Sequence, residues 1–124
     1  MKLVDDAKGK RARGYPRVIT LLPEADIQFK GIRAWMLQGD KQQLVFFEMG
    51  PSAQVPEHCH DYPQWGIMVE GKMELTIEGK TRLCKKGDEY VIPAKAKHYA
   101  RFLTKSRVID FFSEKSRYRP KPAE

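Results

Sequence analysis

Cysteine and histidine are both scarce in this chain, with two of the first and three of the second among 124 residues. Cys59 and Cys84 cannot build the disulfide framework of a small secreted domain, and they lack the close paired spacing of a zinc knuckle. Reduced thiols are the expectation, with Cys59 a packed thiol. No apolar run approaches the eighteen or so residues of a membrane-spanning helix, and residues 1–10 contain no stretch able to serve as a secretory core. The chain therefore reads as cytoplasmic, with no membrane partner. Internal repeats and low-complexity segments are also lacking, which argues against solenoid architectures.

What is present is a folding composition. Hydrophobic residues make up 41% and charged residues 31%, with a mean hydropathy of -0.59, as in a globular domain. The length suits one domain with a modest core. The net charge is +7, but it is concentrated at the ends. Residues 1–17 carry six basic and two acidic side chains, and residues 113–124 carry four and two, so the stretch between is nearly neutral. Basic termini of this kind read as solvated arms, and no helix-turn-helix, aromatic RNA-binding pattern or zinc finger accompanies them. Nucleic acid is not an expected partner. The organisation read from the sequence is a basic arm over 1–17, a barrel over 18–112 and a tail over 113–124.

Helix signals are few and strand signals frequent. Runs rich in Val, Ile, Phe, Tyr and Thr occupy 18–22, 32–37, 42–49, 65–70, 72–78, 81–84, 90–93, 98–103 and 107–112. Turn residues fall between them at Gly39-Asp40, Gly50-Pro51, Gly71, Gly79 and Gly87-Asp88. Met73, Leu75 and Ile77 alternate with Glu74, Thr76 and Glu78, the period of a strand with one buried face. The fold class is all-β, and so many short strands in a small chain must close into a barrel or a sandwich. The run 18–22 stands apart, as an edge strand able to pair with a second copy of the chain.

Candidate chemistry lies in the histidines. His58 and His60 are two apart, so an extended strand turns both to one face, roughly 7 Å apart, and turns Cys59 to the other. His98 opens a later strand, and Gln64 follows His60 by four residues with a carbonyl oxygen to offer. Such a set suits a divalent metal ion; a His-x-His pair also occurs as half-exposed polar surface. Asp110 interrupts the apolar run 107–112, where a lone buried carboxylate would need partners. Alternation puts Asp110 and Phe112 on one face and Ile109 and Phe111 on the other, without saying which is inward.

This pattern resembles the two motifs of the cupin superfamily. The first, Gly, five residues, His-x-His, three or four residues, Glu, six residues, Gly, is matched from Gly50 through His58, His60 and Gln64 to Gly71. The second, Gly, five residues, Pro-x-Gly, two residues, His, three residues, Asn, is matched by Gly87, Pro93 and His98. Seven residues separate Gly50 from His58, and Gln64, Lys95 and Phe102 replace the Glu, the second Gly and the Asn. All three histidines keep ligand positions. The resemblance implies a double-stranded β-helix, a jelly-roll barrel holding one divalent ion per chain on His58, His60, Gln64 and His98. Zn, Fe, Ni and Mn all suit such donors. It also implies a homodimer exchanging N-terminal strands.

Asp110, Phe112 and Ser113 followed by a basic residue resemble, more narrowly, the cupins of pectin and alginate breakdown, which convert unsaturated uronates to open-chain keto forms. In that subgroup Gln is the fourth ligand. The resemblance implies that Asp110 moves the proton, Phe112 lines the pocket and Arg117 holds the substrate carboxylate, although Arg117 lies one residue late and Glu114-Lys115 replace prolines. Trp35, Met68 and Phe102 are further candidate pocket walls, and Arg33 and Arg101 candidate anion contacts with solvated surface as the simpler reading. The expected function is metal-dependent proton transfer on a small, oxygenated, anionic substrate. Two other classes remain open: an iron-dependent dioxygenase, and a non-catalytic cupin that binds or senses a small molecule.

Overall fold

Short β-branched and aromatic runs, separated by turns that only a few backbone geometries satisfy, produce nine antiparallel strands in the computed structural model, which describes residues 14–122. They are β1 (Ile32–Gln38), β2 (Gln43–Met49), β3 (Gln54–His58), β4 (Gln64–Glu70), β5 (Lys72–Ile77), β6 (Lys80–Lys85), β7 (Glu89–Ile92), β8 (His98–Phe102) and β9 (Ser106–Phe112). Two sheets result, ordered β1-β2-β9-β4-β7 and β3-β8-β5-β6. This is the jelly-roll arrangement expected of the sequence. Glu78 and Gly79 both take positive φ, 48° and 78°, in the two-residue turn that joins β5 to β6. Gly71 turns β4 into β5 at φ 93°, where a Cβ would overlap Ser106.

The inward faces follow period two. Val45, Phe47 and Met49 of β2, Val108 and Phe112 of β9, Met73 and Leu75 of β5, and Ala100 and Phe102 of β8 form one core between the sheets. Asp110 shares the inward face of β9 and is buried, so the open question of its direction resolves inward. Register then lines up two inward rows across the larger sheet. Gln43, Phe112, Gln64 and Ile92 form one, and Val45, Asp110, Gly66 and Tyr90 the next.

Two expectations fail here. Residues 18–22 are not a strand: α1 (Arg17–Thr20) is a single helical turn behind Pro16, with Ile19 and Thr20 amides bonded to the Pro16 carbonyl. Proline pre-sets the entry dihedral, and Val18 and Leu21 stay exposed, so no N-terminal strand is available for exchange among the described residues. Conversely, β3 has no counterpart among the predicted runs. It contains Pro56, and β3 is a sheet edge with a bulge before His58, where proline is tolerated.

Both ends of the described chain are docked. Tyr15 is buried, its hydroxyl donating to the Phe47 and Val108 carbonyls at 2.9 and 3.0 Å, its ring edge-on to Trp35 and Phe46. The rest of the basic arm, 1–13, lies outside the described residues. Gln43, 1% exposed, clamps the C-terminal segment: its Nε2 donates to the Lys115 and Tyr118 carbonyls and its Oε1 accepts from the Tyr118 amide. Further on, Ala25 bridges Pro120. No described helix is long and apolar enough to cross a membrane. Tyr15→Phe should lower the unfolding free energy by about 1 kcal/mol in urea titration, the net worth of one such hydrogen bond; unchanged stability would show that the hydroxyl does not hold this segment.

Candidate metal centre

The two sheets each deliver part of the site. His58 ends β3 directly opposite His98, the first residue of β8, so antiparallel register alone brings these two rings to 4.1 Å between centroids. His60 arrives from the loop after β3, not from a continuous strand, with its ring 5.7 Å from His58 and 5.1 Å from His98. One ring nitrogen from each histidine lies within 4.8 Å of the others. Tyr62 stacks on His60 at 4.3 Å, and Lys95, at φ 67°, donates its amide to the His60 carbonyl. Lys95, at the place where the motif quoted above has glycine, thus holds a left-handed conformation at a cost of roughly 1–2 kcal/mol.

The histidine hydrogens are fixed by their neighbours. Nδ1 of His58, His60 and His98 lies 2.7–2.8 Å from the carbonyls of Pro56, Tyr62 and Ala96 respectively. A carbonyl only accepts, so each Nδ1 carries the hydrogen and each neutral ring turns a bare Nε2 lone pair inward. His98 Nε2 is buried with no hydrogen-bond partner among the described residues. The Gln64 Oε1, a further acceptor, stands 3.1 Å from His60 Nε2. Facing lone pairs at that distance call for a positive centre between them, a proton or a metal ion. The donor set, three imidazole nitrogens and an amide oxygen, fits a divalent transition-metal ion.

Below and beside this cluster lies a cavity of about 60 Å³, walled by Phe47, Leu75, Phe102, Val108 and Phe112 and reached by Asp110 and Arg117. Asp110 Oδ2 accepts from Gln64 Nε2 at 2.9 Å and Oδ1 from the Tyr90 hydroxyl at 2.5 Å. Burial pushes the Asp110 carboxyl up to about 7, while the Tyr90 and Gln64 hydrogen bonds and the Arg117 charge pull it back. Arg117 lies over the Phe112 and Tyr118 rings and donates toward His58 Nε2 at 3.3 Å. No described carboxylate forms an ion pair with it, and its Nε is buried without a partner.

The structure thus brings His58, His60, Gln64, His98, Asp110, Phe102, Phe112 and Arg117 to one place. Trp35 and Met68 do not line it. Trp35 points to the outer face of β1 and is covered by Tyr15, and Met68 is core two residues along β4 from Gly66. Arg33 and Arg101 pair with Glu24 and Glu74 on the surface. Cys59 is exposed, not packed, because the chain leaves the sheet at that point. Sequence reasoning missed Tyr90, whose partner Asp110 lies on another strand, Gln43, whose partners lie in the C-terminal segment, and Tyr62, which stacks on His60 two residues before it.

Desolvation lowers His98 to about 4 and lowers His58 also, so both stay neutral in the folded protein at pH values where an unfolded histidine is charged. Between pH 6.5 and 4 the unfolded chain binds more protons at these sites, and stability falls with acidification. Asp110 works in the opposite direction over its own range, so the His98 share is read by difference. Urea titrations of the metal-free protein should show wild type losing more stability from about pH 6.5 to about 4.5 than His98→Gln; equal losses would contradict the assignment.

A family model described as Cupin domain matches residues 45–112. Quercetin 2,3-dioxygenase of Bacillus subtilis (strain 168) is 33% identical over 75 residues, 59% of this chain and 22% of that protein, so the chain spans about a fifth of its length. Among solved structures, an RmlC-like cupin from Shewanella frigidimarina NCIMB 400 superposes with a TM-score of 0.72 at 24% identity, covering 79% of this chain and 88% of the other. KdgF from Halomonas sp. superposes with a TM-score of 0.70 at 28% identity, covering 77% and 90%. The family match runs from the second strand to the last and takes in every histidine, and the chain belongs to the cupin family.

Proposed function

We propose that the protein is a metal-dependent cupin that catalyses proton transfer on a small anionic sugar acid of the unsaturated uronate class. The observation that carries this reading is the pairing of four convergent acceptors, on His58, His60, Gln64 and His98, with an arginine that no described carboxylate neutralises. A single divalent ion held by those four residues would supply Lewis-acid polarisation of a substrate oxygen. Arg117 binds the substrate carboxylate, its fork oriented by the Phe112 and Tyr118 rings. Asp110 lines the cavity and its raised carboxyl, about 7, suits a group that both takes and returns a proton near neutrality. Phe102 and Phe112 keep bulk water from it. At about 60 Å³ the cavity holds only the reacting end of the acid, leaving the rest at the mouth beside Arg117. The likeness to KdgF at 28% identity supports the uronate resemblance of the chain.

The likeness to a quercetin dioxygenase favours a second reading, oxygen chemistry at iron; oxygen uptake coupled to substrate loss would select it. For the first reading, purified protein with 4,5-unsaturated galacturonate or mannuronate should lose the double-bond absorbance. Asp110→Asn should slow that loss by about a hundredfold or more, as expected for removal of a proton-transfer group. An undiminished rate in Asp110→Asn would contradict the role given to Asp110.

A homodimer accords with the outer face of the five-stranded sheet. Leu37, Leu44, Phe111, Trp65 and Val91 form one cross-strand row over all five strands, free of charge and with four members exposed. An uncharged apolar row is self-complementary, so a second copy fits it. The wild type should sediment as a dimer and Trp65→Glu as a monomer; a wild-type monomer would count against it. Two unbridged cysteines, one exposed, accord with a cytoplasmic setting.

A further inference from the structure

Tyr90 has no part in the reading above, yet it is buried against the site with its hydroxyl committed to Asp110. The reason it reaches is a missing side chain. Asp110, Gly66 and Tyr90 are successive members of one inward row, on β9, β4 and β7. Gly66 separates the other two, and a Cβ there would overlap both the Tyr90 ring and Asp110 Oδ1. Glycine leaves open the space through which Tyr90 donates to Asp110 Oδ1 at 2.5 Å. Asp110 Oδ2 is left for residue 64, one row away.

Resting on the metal-site reading, we propose that Asp110, anchored by Tyr90 across Gly66, is a lock that requires an amide at position 64 and turns its oxygen toward the histidines. In this arrangement both Asp110 oxygens accept, Oδ1 from the Tyr90 hydroxyl, so the end of residue 64 that faces Oδ2 must donate. Gln64 does so through Nε2 at 2.9 Å, which leaves Oε1 pointing at His60 Nε2 at 3.1 Å. Glutamate in the same place would set carboxylate against carboxylate with little water to screen them. The lock keeps the metal-facing ligand neutral and holds the negative charge one hydrogen bond behind it. Tyr90 acts through Asp110 and is a positioning residue; for Asp110 this is a positioning role in addition to the proton transfer proposed above.

The test is Co²⁺ affinity, by competition with a chromophoric chelator, in wild type, Gln64→Glu, Asp110→Asn and the double variant, with thermal melts of the metal-free proteins. In the double variant the introduced asparagine can donate through Nδ2 to the introduced glutamate while its Oδ1 accepts from Tyr90, so every group is paired. If residue 64 acted alone, a charged ligand would tighten binding equally in both backgrounds. The lock instead predicts that Gln64→Glu brings no tightening while Asp110 is in place. In the Asp110→Asn background it predicts about tenfold or more, the usual scale for a group that orients a ligand. A ratio between the two effects below about tenfold overturns the proposal. Should Gln64→Glu fail to fold alone and fold when combined with Asp110→Asn, the repulsion is shown directly; equal loss of melting temperature in both backgrounds overturns it. If none of the four proteins binds Co²⁺, the metal reading has failed, and the melts alone decide the lock. Repeating the cycle in Tyr90→Phe should bring the ratio toward one, and an unchanged ratio removes Tyr90 from the lock.

Discussion

The direction of three imidazole hydrogens governs what this molecule can do. Each Nδ1 is spent on a backbone carbonyl, at Pro56, Tyr62 and Ala96. Three Nε2 lone pairs therefore point into a confined space that already contains the Gln64 carbonyl oxygen. Burial makes protonation an expensive way to relieve that congestion at His98, whose affinity for a proton is depressed well below the ordinary histidine range. A divalent cation relieves it without charging the rings. The fold supplies the directions: His58 and His98 face each other by register across the edge of the smaller sheet, and the loop that follows β3 returns His60 to the same point.

Electrostatics around the site is asymmetric. The negative group, Asp110, lies behind the amide ligand and is tied by Gln64 and Tyr90, whereas the positive group, Arg117, sits on the C-terminal segment that Gln43 clamps to the barrel. A neutral ligand set leaves the charge of a bound ion uncompensated on the side where Arg117 lies. With such an ion in place, an anion entering there would meet two positive centres, the guanidinium of Arg117 being flanked by aromatic rings. Cupins share one barrel across unrelated reactions, so the substrate class rests on these particular residues and not on the fold.

Much of this was legible beforehand, and the failures have physical causes. Eight strands followed from alternation and turn residues, while the four proposed ligands, His58, His60, Gln64 and His98, were offered by their spacing and named as a set only by the cupin resemblance. The edge strand β3 was hidden by Pro56, and the helical turn over 17–20 by β-branched residues that Pro16 overrides. The direction of Asp110 was undecidable because both faces of β9 are apolar, one against the core and one along the exposed row with Trp65. Tyr90 and Gly66 matter only through cross-strand register, and Gln43 through its hold on Lys115 and Tyr118 far along the chain, and no local pattern encodes either.

The central claim is that four side chains, from both sheets and the loop that joins them, share one cation. Crystals grown with Co²⁺ or Zn²⁺ and measured on either side of the metal absorption edge test it most directly. The account predicts a single anomalous peak within bonding distance of the Nε2 atoms of His58, His60 and His98 and of the Gln64 Oε1. A peak elsewhere on the surface, or none with the three rings still in place, would contradict it.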